Sequence, residues 1–204
     1  MRLSGPDLPG PRLGMLRRSL SCPGPHCGGR SAPRGNSLNN DTGVERTLVL
    51  LKPDAVARGL VGRVITRFEE ALLKIVAAKM VWMDADLAKR HYFDLEERFG
   101  PEVFNAMATF MESGPVIALI LEGVEAVANT RKIVGSTYPD QAPPGTIRGD
   151  FAHMSRAYAN QRSIAVANLV HASGNVEEAA HEISVWFAKD EIHDYSPPFD
   201  RYVR

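Results

Sequence analysis

Four apolar runs, separated by stretches of helical spacing, organise the chain from about Glu45 onward. Thr47 to Leu51 is continuous and apolar, as expected of a central strand covered on both faces. It halts at Lys52-Pro53-Asp54, because proline cannot continue an inner ladder. Val64, Ile65, Phe68, Ala71 and Leu72 then recur at helical spacing. Ile75 to Met83 reads as a second strand. Asp84-Ala85-Asp86 offers caps for a helix through Leu87, His91 and Leu95, which Gly100-Pro101 breaks. Val103, Phe104, Met107, Phe110 and Met111 mark a further helix, closed by Ser113-Gly114-Pro115.

Val116 to Leu121 is the third strand, ended by Glu122-Gly123. Ala126, Val127 and Ile133 define the next helix, which carries Arg131. Ser136 to Phe151 is a long loop holding Pro139, Pro143, Pro144 and Gly145, a composition that suits a functional loop better than a plain connector. Residues 152–163 lack a clear period and are expected as an irregular excursion. Ile164 to Val170 predicts a fourth strand that delivers His171 at its end. The last helix opens at Asn175, with Glu178 three residues on as in a capping box, and an inner face of Val176, Ala179, Ala180, Ile183 and Phe187. This order predicts an α+β fold: a ferredoxin-like split βαβ sandwich, whose four-stranded antiparallel sheet has helices packed on one face.

Composition separates a tail from this body. Residues 1–40 hold six arginines against one acid, Asp7, while the remainder carries 18 basic and 23 acidic residues. The first 44 residues are rich in Pro, Gly, Ser and Arg and carry no hydrophobic period. They are expected to form a disordered extension, since they cannot bury enough surface to offset ordering entropy. An upstream start, with Met15 as an internal candidate, or an organelle transit peptide would also account for them. Cys22, His26 and Cys27 form a weak metal-binding pattern without a second ligand cluster. Both cysteines lie in this tail, so a disulfide framework in the body is excluded. No apolar run is long enough to span a bilayer, and the mildly acidic body argues against a bulk nucleic-acid binder.

The candidate chemistry lies at element ends and loops. His171 is the candidate nucleophile, since a neutral imidazole offers a free ring nitrogen near neutral pH. Lys52, Arg98, Arg131 and Arg148 are four cations near element ends, and Thr137 and Asn168 add neutral donors. No GxxxxGK[ST] loop and no glycine-rich kinase loop with its partner motifs is present. A phosphate cradle would therefore be built from side chains, for which arginine forks suit non-bridging oxygens.

Several segments, taken together and in order, carry a family resemblance. They are Glu45-Arg46-Thr47, Lys52-Pro53-Asp54, Arg58-Gly59-Leu60-Val61-Gly62, His91-Tyr92, Ser113-Gly114-Pro115-Val116, Pro144 to Phe151 and Asn168 to Ser173. From Glu45 to about Trp186 the chain resembles a nucleoside diphosphate kinase, and residues 45–204 are taken as that domain. The resemblance implies a ping-pong reaction: a nucleoside triphosphate, usually ATP, gives its γ-phosphoryl group to His171, and a second nucleoside diphosphate takes it. It implies that Lys52 contacts the sugar hydroxyl and phosphates, with Tyr92 beside it. Arg98, Thr137 and Arg148 would hold the β- and γ-phosphates with Arg131 close by, and Asn168 would bind the sugar. Ser173 would hydrogen-bond Glu182, and Glu182 would orient His171 through its other ring nitrogen. A carboxylate on Nδ1 is expected to fix which nitrogen attacks. The base would stack on Val103 or Phe104, with Met107 nearby, in line with broad base acceptance. Mg²⁺ would arrive with the nucleotide, with no metal site of the protein's own. A homo-oligomer, hexamer or tetramer, and a cytoplasmic location are implied, with an organelle as the alternative if the tail is a transit peptide.

The chain departs from the family pattern at three places. Gly174-Asn175 follows Ser173 where the family commonly has an acid. The segment from Arg98 to Gly114 is a few residues longer than usual. The segment from Phe151 to Asn168 is about ten longer, and Met154 to Arg162 is expected to form an added surface loop or hairpin at the site's rim or a subunit contact. Two other classes compete with this reading: a catalytically silent nucleotide-binding scaffold on the same fold, and a ferredoxin-like RNA-binding module, which the acidic body disfavours.

Overall fold

The computed structural model describes residues 43–203. The expected disorder, targeting role and Cys22/His26/Cys27 cluster of the tail lie outside the described residues. The strands are β1 (Val44–Leu51), β2 (Lys74–Trp82), β3 (Pro115–Val124) and β4 (Val170–Ala172). The helices are α1 (Pro53–Ala57), α2 (Val61–Glu70), α3 (Ala85–His91), α4 (Leu95–Phe99), α5 (Pro101–Glu112), α6 (Ala126–Val134), α7 (Ile147–Phe151), α8 (Arg156–Arg162), α9 (Val176–Trp186) and α10 (Asp200–Val203). The sheet order is β2-β3-β1-β4 and each neighbouring pair is antiparallel. This is the split βαβ arrangement that the sequence predicts.

Helices cover both faces of the sheet, not one as expected. β1 shows why: Leu48, Val49, Leu50 and Leu51 are all fully buried, so successive side chains enter different cores. Val49 and Leu51 pack with Val64 and Phe68 of α2, Ala126 and Val134 of α6, and Ile147 of α7. Leu48 and Leu50 pack with Leu87 and Ala88 of α3, Met111 of α5 and Trp186 of α9. Complete burial of a side chain such as Phe68 stabilises the fold by roughly 1.5–3 kcal/mol.

The fourth strand is three residues long, where seven apolar or polar residues ending at Val170 are expected to pair. Residues 164–169 leave the ladder, and β1 pairs only with Val170, His171 and Ala172. His171 therefore lies within the strand, opposite Leu50. The excursion after Phe151 contains a helix, α8, rather than a loop or hairpin. The Ser155 side chain caps it by accepting the Tyr158 N–H at 3.1 Å. On α9, Val176 and Ala180 are exposed, and the buried residues are Ala179, Glu182 and Trp186. Its N-terminus is capped by Asn175, which accepts the Glu178 N–H at 2.8 Å. The Glu178 carboxylate answers to the Gly174 N–H at 3.0 Å rather than to the Asn175 backbone expected of a capping box.

Among the described residues, no helix is long and apolar enough to cross a membrane.

Candidate active site

Sheet parity places His171. His171 pairs with Leu50, and paired residues project to one face. Lys52 and Ser173, each two residues along, share that face. It is the side on which α3, α5 and α9 pack. The helix α9 brings Glu182 there, buried, with its two oxygens divided between two partners. Oε1 lies 2.8 Å from His171 Nε2, and Oε2 accepts the Ser173 hydroxyl at 2.5 Å. Ser173 is itself fixed, since its Oγ accepts the Leu48 N–H at 3.2 Å.

This geometry corrects one expectation: the carboxylate sits on Nε2, not on Nδ1. A carboxylate partner assigns the proton to Nε2 and leaves the lone pair on Nδ1. Nδ1 is therefore the ring nitrogen that keeps its lone pair.

Behind the pair lies His91, buried at the end of α3. Its ring meets that of His171 edge-on, with centroids 4.7 Å apart. Burial, and then the nearby His171 and Lys52, hold its pKa well below the ordinary value, so this imidazole is neutral. Its position on the apolar spacing of α3 was the available sequence signal, and reads as core until α9 is placed beside it. Tyr92 follows, with its ring 4.5 Å from that of His91. Burial and the charge of Glu182 push its phenol upward, and its buried hydroxyl has no hydrogen-bond partner among the described residues.

The second half of the site is a knot of polar groups around Asn168. Its Oδ1 accepts Lys52 Nζ at 2.9 Å, and its Nδ2 donates to the Thr137 carbonyl at 2.8 Å. Lys52 is buried, and desolvation with the neighbouring Arg148 lowers its pKa to about 8, against the opposing charge of Asp54. Arg148 gives Nε to the Asn168 carbonyl at 3.2 Å, Nη1 to the Gly135 carbonyl at 3.0 Å and Nη2 to the Val170 carbonyl at 2.5 Å. Burial, then Arg131, brings its pKa down to about 10, so it stays charged at neutral pH. Gly135 can present its carbonyl because it takes φ +87° at the end of α6 and packs closely on Thr146, which a Cβ would meet at 2.5 Å.

The remaining expected residues are less tightly gathered. Arg131 is exposed on α6 and reaches the knot through its field on Arg148. Arg98 lies in the last turn of α4 and pairs with Asp94 at 3.0 Å. Phe104 is half-buried on α5, beside the exposed Val103, and Met107 packs into the core. The inserted α8 lies by the Thr137 loop: Arg156 sits over the Tyr138 ring at 5.6 Å, and Met154 Sδ accepts the Ala167 N–H at 3.4 Å.

His91, His171 and Glu182 form a group of ligand-type side chains whose donor atoms lie within 4.8 Å of one another. Two imidazoles suit a borderline metal such as zinc and not Mg²⁺, which takes oxygen ligands. That donor set therefore does not fit a resident magnesium.

A carboxylate-pinned imidazole beside a buried lysine and arginine, on an antiparallel α+β sheet, defines a phosphotransferase. The family profile described as nucleoside diphosphate kinase matches residues 45–192. The nucleoside diphosphate kinase of Borreliella burgdorferi is 44% identical over 154 residues, covering 74% of this chain and 92% of that protein. That of Pyrococcus furiosus is 45% identical over 161 residues, covering 79% and 94%. A solved transition-state mimic of the Borrelia burgdorferi enzyme with bound vanadate and ADP superposes with a TM-score of 0.76 at 42% identity, over 78% of this chain and 96% of that one. A Halobacterium salinarum enzyme in complex with CDP gives 0.68 at 36%, over 78% and 98%. The chain belongs to the nucleoside diphosphate kinase family and is a phosphotransferase.

Proposed function

We propose that His171 is the phosphate carrier of a ping-pong reaction between nucleoside triphosphates, mainly ATP, and nucleoside diphosphates. The observation that carries this reading is the 2.8 Å contact of Glu182 with Nε2, which leaves Nδ1 free. Nδ1 attacks the γ-phosphorus, and the bond from that phosphorus to the β–γ bridging oxygen breaks. The nucleoside diphosphate leaves with the electron pair. The proton on Nε2 stays with the ring, where Glu182 stabilises the positive charge as it develops. A second nucleoside diphosphate then attacks the phosphohistidine, which restores the imidazole.

In this reading Lys52 and Asn168 meet the sugar and phosphates, and Tyr92 stands beside them. Arg148, Arg131, Thr137 and Arg98 face the β- and γ-phosphates. Catalysis of this kind is positioning plus charge stabilisation, and the carbonyl-tied Arg148 enters it already ordered. Stacking on Phe104 or Val103 accepts purine and pyrimidine alike. Mg²⁺ would be held by the nucleotide's phosphates and would neutralise phosphate charge. The homo-oligomer, a hexamer or tetramer, would use the exposed end of β2. The cytoplasm is the compartment this activity serves by default.

The test is to incubate the protein and its His171→Ala variant with γ-labelled ATP and Mg²⁺, then chase with several nucleoside diphosphates. Acid-labile, base-stable label on the parent alone, passed to every diphosphate, is the expected result. An unlabelled parent overturns the reading.

A further inference from the structure

We infer that Asp54 is a positioning residue, holding the backbone just ahead of His171 in a conformation that an unsupported chain leaves. The inference rests on the reading of His171 as the phosphate carrier.

The observation is a turn centred on Leu169. This leucine has φ +70°, a region that non-glycine residues with bulky side chains rarely occupy. The Val170 N–H donates to the Asn168 carbonyl at 2.8 Å. A bond from residue i+2 back to residue i, around a positive φ, is a strained γ-turn. It sits between Asn168 and His171, two side chains that the chemistry needs in register. Glycine would adopt this φ without strain, yet a buried leucine stands there. The surroundings must therefore enforce it.

Two contacts do so. The Leu169 N–H donates to Asp54 Oδ2 at 3.0 Å, and the Leu169 carbonyl accepts the Lys52 N–H at 2.8 Å. Both come from one short segment, Lys52-Pro53-Asp54, where β1 passes into α1. The lysine contact uses a main-chain amide, which any residue supplies. The aspartate contact uses a side chain, and it is the one that a substitution can remove. Asp54 Oδ1 has no hydrogen-bond partner among the described residues, so the carboxylate's directed work is the Leu169 amide. Without it, that amide is buried and unpaired. The turn can then relax toward negative φ, which rotates the peptide planes that carry Asn168 and Val170. The Asn168 carbonyl is also a ligand of Arg148, and Val170 enters the strand that carries His171. A shift of about 1 Å at a nucleophile can cost on the order of 100-fold in rate.

The experiment measures the single-turnover rate of His171 labelling by saturating γ-labelled ATP in Asp54→Ala, Asp54→Asn, Leu169→Gly and the Asp54→Ala/Leu169→Gly pair. Thermal melting and circular dichroism run in parallel. Asp54→Ala should slow labelling by about 10- to 100-fold while the protein stays folded. Asp54→Asn, which keeps an acceptor oxygen, should recover to within about 5-fold of the parent. In the Leu169→Gly background, where no strain needs holding, adding Asp54→Ala should cost less than about 3-fold. Asp54→Ala labelling at the parental rate overturns the inference, and so does an equal Asp54→Ala penalty in both backgrounds. If Asp54→Ala does not fold, the Asn variant decides: labelling as slow as 100-fold below the parent overturns the inference, and near-parental labelling supports it. Failure of the phosphocarrier reading shows separately, as an unlabelled parent.

Discussion

Trp186 donates its indole N–H to Nδ1 of His91 at 3.3 Å. The indole fixes the buried imidazole as the neutral Nε2–H tautomer, in a ring that rests edge-on against His171. Burial holds this histidine's pKa well below 6.5. The unfolded chain therefore binds a proton that the folded one refuses as pH falls below about 6.5. Its contribution to stability is present above that pH and is lost as pH falls through the window below it, at about 1.4 kcal/mol per pH unit. Denaturant unfolding at a series of pH values should show this slope, and His91→Phe should flatten it by about one proton. An unchanged slope would show that His91 protonates in the folded state.

Glu182 is expected to matter more for rate than for binding. It touches Nε2 rather than the attacking nitrogen, and acts by fixing the ring and stabilising its developing charge. Glu182→Gln should slow His171 labelling by about 10- to 100-fold, with nucleoside diphosphate affinity within about 3-fold of the parent. Ser173→Ala removes only the hydroxyl that steadies Oε2 and should cost less than Glu182→Gln. Rapid-quench labelling and equilibrium binding separate the two effects.

Lys52 predicts the alkaline limb of the pH profile. Its pKa in the free protein lies near 8, so its charge disappears from the empty site as pH rises through that value. A bound polyphosphate favours the charged amine and raises the pKa again. Nucleoside diphosphate affinity should therefore fall above pH 8 by up to tenfold per unit. Binding at pH 9 should take up close to one proton, which calorimetry in buffers of different ionisation enthalpy measures. Lys52→Met should bind weakly at every pH and take up none.

The contrast between β1 and β4 shows what was legible in the sequence. Leu48 to Leu51 are buried on both sides, and a continuous apolar run announces this. Residues 164–169 present a comparable run, yet they are not a strand. Leu169 turns to positive φ, and the main chain beside it serves Lys52 and Arg148 instead of a ladder. Those partners lie far away in sequence, so periodicity could not show them. The resemblance named Lys52, Asn168, His171, Ser173 and Glu182, and the structure sets Lys52 on Asn168 and Glu182 on both His171 and Ser173; which imidazole nitrogen meets the carboxylate was not legible. That depends on how α9 lies across the sheet. His91 and Asp54 carry no distinct signal by themselves, because each has an ordinary role, an apolar helix position and a turn.

The exposed end of β2 bears on assembly. β2 is an edge strand, and its far side is partly covered: the His193 N–H donates to the Val76 carbonyl at 2.8 Å, and the Tyr195 hydroxyl to the Ile75 carbonyl at 2.8 Å. Beyond Ala77 no such main-chain contact is made among the described residues, and Met80 and Trp82 are 61% and 66% exposed on one face. An uncovered apolar edge favours pairing with another chain. A second copy meeting it there would bury both side chains and extend the ladder. Met80→Glu places a charge in the middle of that contact. Sedimentation velocity should show the parent as a homo-oligomer and Met80→Glu as a smaller species, whereas a charge at the exposed Glu70→Lys position of α2 should leave assembly unchanged. Each variant should still label at His171 in the presence of γ-labelled ATP, because Met80 and Glu70 lie outside the residues gathered around His171. A parent that sediments as a monomer, or a Met80→Glu variant that assembles fully, would place the subunit contacts elsewhere or remove them.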